Sequence, residues 1–420
     1  MPTRLVNIDR QTPMLLPPDL RDWVADNDLA RLIIDALDLC ELPGARINER
    51  GSGSEQYPPR MMVALLMYCY ATGIFSSRRI ERATFDSVSV RYVCANTHPD
   101  HDTIAEFRRH NGELFTWCFG KVLQLAREAG VLRLGAVSID GTRMAGAGSR
   151  HAVRSAQEIE EQLEEFKQLG LDLLNQAEAA DQSDADGGGS LLPEELRDAE
   201  RRRAKLLEAK ARIEQRQQQA KTKKARAQAS VTEPESRTLH RPGSGPPVQG
   251  YNAQLCADAG PSGLIVGAQL NDAPNDTKQL EPSLESIRPE AGKASVVLVD
   301  KGYEETESRV RAERTYGVLV LSPPQRRPSA KTNNPNRTGK AQWVYERGRE
   351  MEVRMSCPLL AALYRRRMPT AEGAFARIKN LIGFRRLHCW GLKAAAAEWM
   401  LVCLAHNVRV LAGRHVQLTA

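Results

Sequence analysis

Apolar residues recur at three- and four-residue spacing through residues 29–39, 61–67 and 115–125, which predicts helices because that spacing lines one face of a 3.6-residue turn. Short breakers separate them. Pro58-Pro59 suits a first helical turn, Gly73 ends that helix, and Ser76-Ser77 offers caps for the next, which carries Arg78 and Arg79. Thr103-Ile-Ala-Glu106 has the order of a capping box, leading into Phe107-Arg108-Arg109. Residues 1–130 therefore read as a compact helical module with basic helix starts, a pattern that suits helix-turn-helix docking or protein contacts alike.

The period then changes. Residues 135–140 (GAVSID) form a short run with β-branched residues, expected as a buried strand stopped by Gly141. Residues 155–228 interrupt with two charged helices. Ile159, Leu163, Phe166 and Leu173 make a narrow apolar stripe on the first, and residues 183–190 break the chain before the second. Between 201 and 226 eleven Lys/Arg stand against Glu208 and Glu214, which reads either as the solvated face of a helical hairpin or as an arm for nucleic-acid phosphates. Strand patterns resume at 251–258 and 263–270 with a Gly/Pro turn between them, the mark of a hairpin. After a helix near 278–287 comes the run 295–300, closed by Asp300, and a third run at 316–321. Residues 322–341 hold four prolines and several cations and read as a flexible basic loop, and the tail from 357 to 413 returns to helical spacing.

The 420 residues suggest two to three domains at about 150 residues each. With 41% hydrophobic and 26% charged residues the chain has globular composition, excluding collagen-like and fully disordered classes. A net charge of +7 favours a polyanionic partner. The eight cysteines contain no CxxC pair and read as reduced core thiols. No secretory signal is recognisable at the start, and the longest apolar stretch, residues 61–75, falls short of the roughly 20 residues that span a bilayer, so a cytoplasmic location without membrane is expected. Met144 to Ser149 lacks the third glycine of a dinucleotide fingerprint and no GxxxxGK occurs, so no nucleotide cofactor is expected. His98-Pro-Asp-His101 reads as a turn with a helix cap, since two further ligands at zinc spacing are absent nearby.

The candidate chemistry rests on carboxylates. Asp140 and Asp300 close two strands whose ends are adjacent if the strands lie side by side. Glu372, at an expected helix start with Thr370 as its cap, is the best third member. Three hard oxygen donors suit Mg²⁺ (or Mn²⁺), as phosphodiester chemistry requires. Strand-Asp, hairpin, strand-Asp and helix-Glu is the order a ribonuclease-H-like α/β core demands.

These blocks resemble the DDE transposases of bacterial insertion sequences, most closely the 1182-type group of the 5-like assemblage. The resemblance runs through YPPRMMVALLMYCYATGIFSSRRIERA and PDHDTIAEFRR, then SIDGTR, GYNAQLCAD and VDKGY, and finally LYRRRMPTAEGAFARIKNLIGFRRLHCW. It implies an α/β chain with an all-α N-terminal DNA-binding domain (1–130), a ribonuclease-H-like catalytic domain (131–154 and 229–413), a charged helical-hairpin insertion (155–228) and a basic loop (322–341). It further implies that Asp140, Asp300 and Glu372 hold divalent metal for strand cleavage and strand transfer. Tyr364, Arg367 and Lys379 resemble the family's tyrosine-arginine-glutamate-lysine signature, with four residues between Arg367 and Glu372 where the usual wording has three. Arg385-Arg386 reads as a phosphate clamp or a solvated turn, and Arg78, Arg79, Arg108 and Arg109 as DNA contacts of the N-terminal helices. Trp390 and Trp399 suit either core packing or stacking on bases. The Glu233-Pro-Glu235-Ser-Arg237 stretch has glutamates where relatives tend to show aspartates. The implied partners are double-stranded DNA, both terminal inverted repeats and target, and a second copy of the chain, because two ends must be joined. A transposon-derived DNA-binding protein with an inert nuclease, or a ribonuclease-H-fold nuclease, are the alternatives.

Overall fold

Apolar periodicity with breaker and cap residues places five helices before the first strand; among the described residues the computed structural model contains them and one more, α4, which the sequence reading missed: α1 (Leu29–Asp38), α2 (Pro59–Ala71), α3 (Ser77–Asp86), α4 (Val88–Val93), α5 (His101–His110) and α6 (Gly112–Glu128). The structure describes residues 19–45, 56–181, 194–219, 228–240, 246–303, 305–323 and 338–419. Pro59 opens α2, and Gly73, in the left-handed region, follows its end. The start of α5 differs from the capping box expected at Thr103. Asp100 is the N-cap, accepting from the Thr103 amide at 2.7 Å and from its hydroxyl at 3.0 Å, so the helix begins three residues earlier.

The sheet is built from β1 (Ala136–Ala145), β4 (Arg237–Leu239), β5 (Val248–Asp258), β6 (Ile265–Asn271), β7 (Val296–Val299) and β8 (Leu319–Leu321), with a separate pair β2 (Val153–Ser155) and β3 (Gln228–Ser230). The order is β4-β5-β1-β7-β8, with β6 also paired to β5. β5 runs antiparallel to β1, β4 and β6, whereas β7 runs parallel to β1 and β8 parallel to β7. Gly141 does not stop β1 as expected. The strand pairs with β5 through Ala145, because Gly141, between Asp140 and Thr142, is held opposite Gln254 in the cross-strand ladder.

Around the sheet lie α9 (Leu280–Glu285), α10 (Thr306–Tyr316), α11 (Gly339–Ser356), α12 (Pro358–Tyr364), α13 (Gly373–Ala376) and α14 (Leu392–Thr419). The charged segment folds as two antiparallel helices, α7 (Ala156–Asp181) and α8 (Glu194–Gln219), that bury Ile159, Leu206, Ala209 and Ile213 with Leu163 and Phe166 packed alongside. The expected break at 183–190 and the Leu173 side chain lie outside the described residues, as does most of the proline-rich loop; that loop ends before 341, since α11 starts at Gly339.

One continuous apolar core joins the N-terminal helices to the sheet, with α14 between them against α2, α6 and β6. This helix corrects the membrane reading in one respect. Leu392–Arg414 is long and apolar enough to cross a bilayer, a longer stretch than residues 61–75, but most of it is buried inside the fold. Six of the eight cysteines are buried; Cys40 and Cys357 are partly exposed.

Candidate active site

In a strand, alternate side chains share a face, and on β1 the face carrying Ser138, Asp140 and Thr142 meets one helical segment. That segment, residues 368–382, consists of a π-turn at Met368–Glu372, α13 and a second π-turn at Arg377–Ile382. Ser138 Oγ lies 2.7 Å from Thr370 Oγ1, Asp140 Oδ2 lies 3.7 Å from the Arg367 guanidinium, and Lys379 Nζ donates to Thr142 Oγ1. Thr370 is thus no helix cap; its hydroxyl donates back to the Arg366 carbonyl at 2.7 Å within a helix that starts earlier than expected.

The parallel ladder between β1 and β7 ends at Ile139↔Val299, so the next residues, Asp140 and Asp300, leave it at neighbouring positions. Tyr364, at the end of α12, donates its hydroxyl to the Val299 carbonyl at 3.1 Å and so pins that strand end. Arg367 bridges onward: its other guanidinium nitrogen lies 3.3 Å from Glu372 Oε1. Five residues of α-helix would turn the two side chains about 140° apart. The π-turn, with its i→i+5 bonding, absorbs the extra residue and keeps Arg367 and Glu372 on one face.

Electrostatics follow from this crowding. Burial pushes the Asp140 carboxyl up to about 6; the Gly141 amide and Arg367 oppose the shift, and the charges of Asp300 and Glu372 add to it. Arg367 is raised despite burial, because Asp140, Tyr364, Asp300 and Glu372 surround it. Asp140 and Glu372 therefore share one guanidinium, and Asp300, whose carboxylate accepts from the Lys301 amide at 2.6 Å, adds its charge nearby, although among the described residues no group of three acids, histidines or cysteines is arranged to hold one ion.

A fourth carboxylate escaped the sequence reading. Asp276 accepts from Asn252 Nδ2 at 2.8 Å and Gln254 Nε2 at 2.6 Å, and a Cβ placed on Gly141 would meet its Oδ1 at 2.7 Å. Gln254 in turn accepts from the buried Tyr303 hydroxyl. Nothing in the turn around Asp276 signals this, since Asn-Asp after proline is ordinary loop sequence.

Two family models match the chain: residues 18–110 match one described as "Transposase domain (DUF772)", and residues 232–408 match one described as "Transposase DDE domain". The chain belongs to the DDE transposases. No curated protein and no solved structure matches it significantly.

The basic residues of this transposase separate by burial. Arg78 and Arg79 stand exposed on the first turn of α3, and Arg109 is exposed at the end of α5. Arg108 is a correction: 4% exposed, it donates to the Tyr70 hydroxyl at 2.8 Å and the Phe75 carbonyl at 2.7 Å, so it faces the core and not DNA. One position of helical rotation separates it from its exposed neighbour. Arg386 donates to the Gly146 carbonyl at 2.9 Å, tying the chain after Gly383 to the end of β1, and Arg385 bonds Asn380 Oδ1 at 3.0 Å; both residues are exposed. On α8, Arg212 and Arg216 pair with Asp272, and Arg216 also holds the carbonyls of Pro234, Glu235 and Ser236; Arg202 and Arg203 face solvent. Trp399 is buried and donates to the Gln254 carbonyl at 3.1 Å, whereas Trp390 is 49% exposed. Trp390 lines a cavity of about 590 Å³ with Arg109 and Lys393, which joins the N-terminal helices to α14. The two glutamates before Arg237 have structural partners: Glu233 accepts from Tyr251 Oη and the Gly148 amide, and Glu235 from the Leu392 amide at the start of α14.

Proposed function

We propose that this transposase cuts and joins DNA at the ends of an insertion sequence, with Asp140, Asp300 and Glu372 as its catalytic acids in a ribonuclease-H-like core. The observation that carries the reading is the shared guanidinium. One strand position and one helical position, more than two hundred residues apart, present carboxylates within 4 Å of Arg367, and the neighbouring strand position, Asp300, adds its charge. The strand order supports it too: β6, β5 and β1 antiparallel, then β7 and β8 parallel to β1, with the first two acids where the parallel ladder ends.

The donor chemistry fits Mg²⁺ or Mn²⁺: three hard oxygen ligands, with a cationic group already seated between two of them. A divalent ion held by Asp140, Asp300 and Glu372 would supply a nucleophile at neutral pH and charge neutralisation at the scissile phosphate. The remaining roles belong to the chain itself. Arg367 orients Glu372 toward Asp140; Tyr364 fixes the strand end beside Asp300; and Lys379, docked on Thr142 two residues from Asp140, offers a cation to a phosphate lying along β1. Exposed Arg78, Arg79, Arg109 and Arg385 give the DNA further contacts, and a dimer brings two ends together. Asp300→Asn is expected to abolish Mg²⁺-dependent nicking of end DNA while DNA binding persists. Full nicking by that variant would refute the assignment.

A further inference from the structure

A second cavity lies at the turn between β5 and β6. About 600 Å³ in volume, it is walled by Pro261, Ser262 and Gly263 of the turn, by Arg377 of the helical segment that carries Glu372, and by His406, Arg409 and Arg414 of α14. No acid lines it. The three guanidinium groups bond to neutral partners: Arg377 to His406 Nε2 at 3.2 Å and weakly to the Gly263 carbonyl at 3.4 Å, Arg409 to the Ala71 carbonyl at 2.8 Å, and Arg414 to the carbonyls of Ser262, at 2.9 Å, and Pro261. His406 offers no negative charge either. It is 1% exposed, and its Nε2 accepts from Arg377, which leaves the other ring nitrogen protonated toward Asn407 Oδ1. Three cations thus converge with no counter-ion among the described residues, and Arg377 is lowered by burial and by the charge of Arg414.

Unneutralised arginines at the rim of a concave wall, here otherwise formed largely by apolar residues such as Leu381, Ile382 and Val410, recognise a phosphate, which accepts several N–H donors at once and relieves the repulsion between them. We propose that this cavity takes a backbone phosphate of duplex DNA, extending the track from the carboxylates along the helix that bears both Glu372 and Arg377. The inference rests on the reading of the chain as a DNA-acting transposase. It names a contact made without regard to base sequence, since a phosphate carries none.

The test is the salt dependence of binding to a non-specific duplex. For full-length protein carrying Arg377→Gln and Arg414→Gln, loss of one phosphate contact should make the slope of log K against log[salt] shallower by about 0.9, so that affinity changes about 3.5-fold less between 50 and 200 mM salt. Arg377→Lys with Arg414→Lys, which keeps both charges, should retain most of the wild-type slope. Arg414→Gln alone, at the rim of the cavity, serves if the double variant unfolds, and should shift the slope in the same direction. Unchanged slope and affinity in a folded Gln variant would overturn the cavity assignment while leaving the transposase reading intact. Wild-type protein without salt-dependent duplex binding would overturn both. A titration with inorganic phosphate that shows binding at the cavity, combined with an unchanged DNA slope, would make it a small-anion site and also overturn the proposal.

Discussion

Arg108→Ala distinguishes a core cation from a DNA contact. Glu398 is fully buried and accepts from the Tyr70 hydroxyl at 2.6 Å, the backbone amides of His388 and Cys389 at 2.6 and 2.9 Å, and the His388 ring at 3.0 Å. Burial alone would raise its carboxyl; the His388 hydrogen bond, the Arg108 charge 3.9 Å away and the Tyr70 hydroxyl hold it below the usual range. Deleting Arg108 strands that carboxylate in the core and leaves the Phe75 carbonyl without its donor. Breaking a buried pair from one side costs about 3 to 5 kcal/mol, a third or more of the stability of many domains. Urea denaturation followed by circular dichroism should show that loss, with DNA affinity of the folded protein unchanged. Glu398→Ala should be at least as damaging, and the double variant should fall short of the sum by about 0.5 to 3 kcal/mol, since both act on one network. Arg109→Ala is the contrast, weakening DNA binding with stability nearly unchanged. If Arg108→Ala lost under about 1 kcal/mol and bound DNA poorly, the residue would be a surface contact and the burial argument would fail.

Three other outcomes follow from single contacts. Burial lowers the His406 pKa to about 4, the Arg377 charge adding to it against the Asn407 hydrogen bond, whereas an unfolded histidine titrates near 6.5. The unfolded chain then binds more protons between those values, so the contribution is fully present above about pH 6.5, declines as pH falls and levels off below about 4, about 3 kcal/mol in all. Denaturation of His406→Asn beside wild type at pH 7 and pH 4 should show their stability difference moving by about that amount; a constant difference contradicts the neutral buried histidine. Glu235→Ala removes the acceptor of the Leu392 amide at the start of α14 and should cost about 0.5 to 2 kcal/mol in a thermal melt; no change means solvent caps that helix equally well. Gly141→Ala drives a Cβ into the Gln254 amide and the Asp276 carboxylate, and should lose nicking together with about 1 to 3 kcal/mol of stability; a fully active, stable variant would remove Asp276 from the neighbourhood of the site.

The path from sequence to site was legible wherever local period decides the outcome. Helices before residue 130, the β5–β6 hairpin, the runs ending in Asp140 and Asp300, and the order of the three acids all follow from spacing and composition, because apolar residues at a repeating interval demand one buried face whatever lies opposite. What spacing leaves open is the partner. Arg108 and Arg109 are the same residue one position apart, and only the packing of α5 against Tyr70 and Glu398 sends one inward. Four residues between Arg367 and Glu372 look like a broken signature until a π-turn restores their common face. Asp276 and the arginines at the β5–β6 turn carry no local mark, since each gains its meaning from residues more than a hundred positions away or across a strand. Local interactions are short enough in sequence to be read as pattern; register, helix rotation and charge compensation depend on which surfaces meet, and those meetings exist only in the folded chain.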